Sequence, residues 1–124
     1  MNVYSREEFD LLAIQVGSIL RLNRLKLNLS QEDLAQQLGI NSTKIGRIER
    51  AEHICAWNQL LQLSQKLKID HRKLFVLKEK NQLLSIISQS YNLEKRLNQD
   101  KKDYYAFLTK MIENKYKNLS RLTN

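Results

Sequence analysis

The sequence predicts an all-α protein, and three observations carry that reading. Its 124 residues contain no proline and three glycines, so almost nothing interrupts helices. Apolar residues recur at three- and four-residue steps along most of the chain. Four helix starts use one set of local signals, a capping residue flanked by an apolar pair: Tyr4 and Phe9 about Ser5, Leu29 and Leu34 about Ser30, Ile40 and Ile45 about Asn41, Ile69 and Leu74 about Asp70. The capping side chain accepts a bond from a backbone N–H that the first turn leaves unpartnered, and the apolar pair sets the direction of entry.

Taken in order, the first helix opens at Ser5 with Glu8 at the capping-box position and is expected to reach about Leu27, with Asn28 as its end residue. Phe9, Ala13, Val16, Leu20 and Leu27 form its expected inward stripe. A second helix starts at Ser30, where Asp33 completes the box, and buries Leu34, Ala35 and Leu38. Gly39 ends it, because the residue just past a helix often needs positive φ. Asn41 caps a third helix, residues 42–50, with Ile45 and Ile48 inward; three joining residues force the two helices to cross steeply. A fourth helix is expected over Trp57–Lys68, carrying Leu60, Leu61, Leu63 and Leu67, with Trp57 as a core or rim aromatic under the preceding loop. A fifth is expected from Asp70, with Leu74, Phe75 and Leu77.

Residues 16–75 resemble the lambda-repressor-like, XRE type of helix-turn-helix domain. The matching positions are Gly17, Leu20 and Arg24; Ser30, Gln31, Leu34 and Ala35; Gly39 and Ile40; Ile45, Arg47, Ile48 and Glu49; then Leu60, Leu67, Ile69, Leu74 and Phe75. Ala51 and Lys68 stand where the family often has glycine, and Cys55 where it often has proline, so the loop after the third helix departs from the pattern. The resemblance implies a five-helix DNA-binding domain, expected over residues 1–77, and the apolar periodicity beyond it predicts a helical extension over residues 78–124.

It also implies a function: sequence-specific binding of double-stranded DNA by a transcriptional regulator, most often a repressor, of bacterial, phage or plasmid type. The third helix is the one with polar residues on its outer side, and the major groove of B-DNA admits one α-helix. Ser42, Thr43, Lys44 and Arg47 occupy the family's base-contacting positions, with Lys44 and Arg47 suited to guanine O6 and N7 and the Thr43 methyl to thymine. Gln31, Arg50 and Asn41 are the expected phosphate contacts, with Arg21 or Lys26 as weaker contributors. Arg24 and Glu49 occupy the family's structural ion pair. Gly46 either admits close approach of DNA or avoids a clash with another helix.

Charge and composition agree with an anionic partner. The net charge is +8, and residues 78–124 hold ten Lys or Arg against five acids. No paired nucleophile and base, glycine-rich phosphate loop or cluster of ligand-type residues marks an enzyme, a metal site or a cofactor. Cys55 is the lone cysteine and reads as a small buried apolar residue, and with no long apolar run the cytoplasm is the expected location.

Beyond Lys78, Leu83, Ile86, Ile87, Tyr91, Leu93 and Leu97 form one apolar series and Tyr105, Leu108, Ile112, Tyr116 and Leu119 another. The polar stretch from Asn98 to Asp103 is a candidate turn; one continuous helix is the alternative. Such stripes cannot remain in water, so a homodimer is expected, with Leu83, Ile87, Tyr105, Leu108, Ile112 and Tyr116 in its contact. A second reading is an antitoxin or adaptor, in which the helix-turn-helix represses its own operon while residues 78–124 bind a protein partner. Control by a peptide or small ligand is compatible with either.

Overall fold

The computed structural model describes residues 4–53 and 55–123; residues 1–3, 54 and 124, which fall within the expected units 1–77 and 78–124, lie outside the described residues. Six α-helices and one 3-10 turn follow one another: α1 (Arg6–Lys26), α2 (Gln31–Leu38), α3 (Ser42–Glu49), α4 (Trp57–Lys66), the 3-10 turn His71–Lys73, α5 (Lys80–Leu93) and α6 (Gln99–Thr123). The local signals act as the sequence suggests. Ser5 with Glu8 and Ser30 with Asp33 close reciprocal capping boxes, and the Asn41 side chain accepts from the Thr43 N–H.

Helix ends share a device too. Asn28, Gly39, Ala51 and Lys68 all adopt left-handed φ, between 59° and 68°. At all four the next N–H reaches back to a carbonyl five residues earlier: Leu29 to Arg24, Ile40 to Ala35, Glu52 to Arg47 and Ile69 to Ser64. Ala51 and Lys68 therefore keep the turn that a glycine would make with less strain, at a cost of about 1–2 kcal/mol per residue.

Two apolar clusters share α1. Ile19, Leu20, Leu34, Ala35, Ile45, Ile48, Leu60, Leu63, Leu67 and Leu74 form the first, among the helix-turn-helix elements. Leu11, Ile14, Leu83, Ile87, Tyr105, Leu108 and Ile112 form the second, where α5 and α6 make an antiparallel hairpin against the first half of α1. This corrects the expected dimer contact. Leu83, Ile87, Tyr105, Leu108 and Ile112 are buried inside the chain's own core, Tyr116 packs against it, and the Tyr116 hydroxyl donates to the Lys78 carbonyl. The early turns of α1 supply the surface that these stripes need.

The same arrangement explains a phase error in α1. Phe9 is 60 % exposed and Ala13 and Leu27 are exposed, whereas Leu11, Ile14, Gln15, Ser18 and Leu22 are buried. A helix covered on two sides carries no single apolar stripe. Trp57 is likewise exposed rather than under the loop, at 77 %.

The expected fifth helix is reduced to the 3-10 turn. Asp70 accepts from the Arg72 N–H, as a cap should, but the following backbone is bound by Gln15 of α1. That fully buried side chain donates to the Leu74 and Val76 carbonyls, each at 2.9 Å, and accepts from the Lys78 N–H at 2.8 Å. Backbone groups taken by a side chain are lost to helical bonding. The hairpin turn also falls earlier than expected, over residues 94–98, and Asn98 accepts from the Lys101 N–H at the start of α6.

Candidate nucleic-acid interface

The corner between α2 and α3 rests on Gly39, whose φ of 68° lets the chain reverse within three residues. Ile45 and Ile48 anchor α3 from below, at 2 % and 4 % exposure. On the outer side Thr43 and Arg47 are exposed, and Ser42 and Lys44 are half-buried. Lys44 lies near Cys55, where burial raises the thiol pKa and the lysine charge opposes that rise. Asn41 is exposed, with its side-chain oxygen 2.7 Å from the Thr43 nitrogen.

The inner end of α3 is fixed by charge. Glu49, 3 % exposed, accepts from Arg24 through Nε at 2.7 Å and a terminal guanidinium nitrogen at 3.1 Å. The remaining terminal nitrogen of Arg24 donates to the Leu29 carbonyl at 2.8 Å, and Gln31 Nε2 donates to Glu49 at 3.0 Å. One carboxylate therefore holds α1, the start of α2 and the end of α3 together. A bidentate guanidinium–carboxylate pair fixes angles as well as distance.

One glycine makes this closeness possible. A Cβ on Gly17 would lie 2.5 Å from the Glu49 carbonyl oxygen and 2.6 Å from that of Ile48, so α1 and α3 touch through backbone. A Cβ on Gly46 would meet an Arg50 guanidinium nitrogen at 3.0 Å and the Gln31 amide oxygen at 3.3 Å. Both neighbours of Gly46 are side-chain ends, Arg50 from just past its own helix and Gln31 from α2, and the residue is buried.

The expected phosphate contacts divide. Gln31 stands at the first position of α2, half-buried, its amide shared with Glu49. Arg50 is exposed and pairs with Glu52. Lys26 is exposed, but Arg21 is 4 % exposed and is not a surface cation. It donates to the Glu49 carbonyl at 2.9 Å and to the Tyr104 hydroxyl oxygen at 3.1 Å, and its guanidinium carbon lies 5.0 Å and 5.6 Å from the Tyr104 and Tyr105 ring centres. Its partners sit 28, 83 and 84 positions along the chain, so nothing local to Arg21 announces them.

Sequence reasoning placed the turn between α5 and α6 at Asn98 to Asp103 and so passed over Lys95 and Arg96. A cleft of about 660 Å³ separates the turn from the start of α2, with Ser30, Gln31 and Arg50 on one side and Lys95 and Arg96 on the other. Among the described residues no group of three or more His, Cys, Asp or Glu could hold a metal ion, and no helix is long and apolar enough to cross a membrane.

Residues 15–74 match a family model described as a helix-turn-helix domain. No curated protein and no solved structure gives a match.

Proposed function

We propose that this chain, whose residues 15–74 match a helix-turn-helix domain, is a sequence-specific regulator of transcription of the XRE, lambda-repressor-like kind, acting as a repressor in the cytoplasm. On this reading α3 enters the major groove, Thr43, Lys44, Arg47 and Ser42 meet base edges, and Gln31, Asn41 and Arg50 meet phosphates. The observation that carries it is the outer side of α3: Thr43 and Arg47 are open to a partner, while the C-terminal hairpin is occupied with α1. Gln31 suits a phosphate contact because it is held at a helix N-terminus, where N–H groups and the dipole favour an anion.

Binding as a dimer to a pseudo-palindromic operator, with half-sites about 34 Å apart or a multiple of that, remains part of the proposal. Its contact would use surface other than the five residues now in the core and Tyr116 packed against them. The adaptor reading, with a protein partner on residues 78–124, has no comparable observation behind it.

Selection of bound duplexes from a random pool tests the function, and light scattering tests the dimer. Arg47→Ala is expected to cost about 1–3 kcal/mol of binding to the selected duplex and to relax preference at one position. A variant that discriminates between selected and scrambled duplexes as well as the parent does would remove Arg47 from the base-reading set.

A further inference from the structure

We propose that the turn between α5 and α6 is a second phosphate-binding element, in which Lys95 and Arg96 take the DNA backbone beside the stretch held by Gln31 and Arg50. The proposal rests on the DNA-reading function proposed above and extends its footprint to the C-terminal hairpin.

The turn is held in place. Glu94, at its start, accepts from the Tyr105 hydroxyl at 2.9 Å and from Lys101 Nζ at 3.1 Å, with its side chain 9 % exposed. Tyr105 in turn packs under the Arg21 guanidinium, which binds the end of α3. A short chain of contacts therefore ties the turn to the DNA-reading helix, so its cations meet a duplex at a set place relative to α3. A cation pre-positioned in this way loses little freedom on binding.

Lys95 and Arg96 are free for such a role. Both are exposed, and neither takes part in a hydrogen bond or ion pair among the described residues. They line the same cleft as Gln31 and Arg50. Acids line that cleft as well: Glu32 and Asp33 in the first turn of α2 and Asp100 in α6, besides Glu49 and Glu94, which are paired with Arg24 and Lys101. The charge of Lys95 reaches Asp33, where it helps to lower the carboxyl pKa after the bonds to Ser30. Lys95 thus opposes the acid that would otherwise repel a phosphate arriving at the start of α2. Exposed cations beside a phosphate-anchoring helix start, set on a braced turn, fit a polyanionic strand.

The test is the salt dependence of binding to the duplex selected from the random pool, with the full chain. Each neutralised phosphate contributes about 0.9 to the slope of log affinity against log salt. The double variant Lys95→Ala/Arg96→Ala is expected to reduce the slope by about 2 and to weaken selected and scrambled duplexes alike, leaving their ratio unchanged. Lys110→Ala/Lys117→Ala, which removes two exposed cations elsewhere on α6, is expected to keep the parental slope. If the first variant keeps the parental slope, or the second lowers it equally, the proposal is overturned while sequence reading by α3 stands. If the parent prefers no duplex, the functional reading fails and this one with it. Thermal unfolding of both variants at the parental temperature excludes a folding cause.

Discussion

From Val16 to Lys26, α1 adds buried charge and a close backbone approach to the apolar contacts of Ile19 and Leu20 with α2 and α3: Arg24 and Arg21 converge on Glu49, and Gly17 lies against the end of α3. From Glu7 to Gln15 the same helix meets α5 and α6 mainly through Leu11 and Ile14, with Lys115 pairing to Asp10 at 2.9 Å on the rim. The first surface is specific because few arrangements satisfy buried charges, and it is vulnerable because losing one partner strands the others. The second is apolar and forgiving of small shifts. On the proposed function α3 needs an angle fixed within narrow limits, and the polar joint lies where that angle is set.

Breaking the charged joint is expected to have the largest effect. Glu49→Ala leaves Arg24 and Arg21 buried without their carboxylate, and should lower stability by about 3–5 kcal/mol in urea unfolding. A loss under about 1 kcal/mol would mean that the joint relaxes into water, and the contrast between the two surfaces would go. Next comes Ile112→Ala, which empties a fully buried site of the hairpin cluster and should cost about 2–5 kcal/mol. Because α1 is shared, unfolding should stay a single transition by circular dichroism; two transitions would show the halves melting separately.

The smallest effect sharpens the comparison through pH. Burial, the largest cause, pushes the Tyr105 phenol well above its usual range, and nearby Arg21 only partly offsets this. Above the ordinary phenol range near pH 10 the unfolded chain ionises and the folded chain does not, so stability present at lower pH is lost as pH rises. Burial raises Tyr116 too, with the same sign. Tyr105→Phe should cost about 0.5–1.5 kcal/mol at neutral pH, for the bond to Glu94, and should flatten the alkaline loss. An unchanged alkaline slope in stability against pH would shift the titration to another group.

What was legible in the sequence was contained in short windows. Ser5, Ser30 and Asn41 announce their helices because cap and partner lie within three residues, and Gly39 marks a corner for reasons private to one dihedral angle. The outward positions of α3 followed from the inward ones. What escaped depends on distant partners. The inward phase of α1 was hidden because both of its sides are covered, and the apolar series of the hairpin looked unpartnered because their partner is the first helix. Polar residues from Asn98 to Asp103 read as a turn, yet a capped helix start is also polar, and the real turn is marked by Glu94, which α6 holds down. Among these the buried Gln15 gave the least warning, since a glutamine inside a helix is ordinary in every local respect.

That glutamine bears on how the molecule could be switched. The segment from Leu74 to Lys78 is the sole covalent passage between the helix-turn-helix elements and the hairpin, and three bonds from one amide pin it to the middle of α1. Any signal that swings the hairpin relative to α3 must first undo that latch, or act without bending the joint at all.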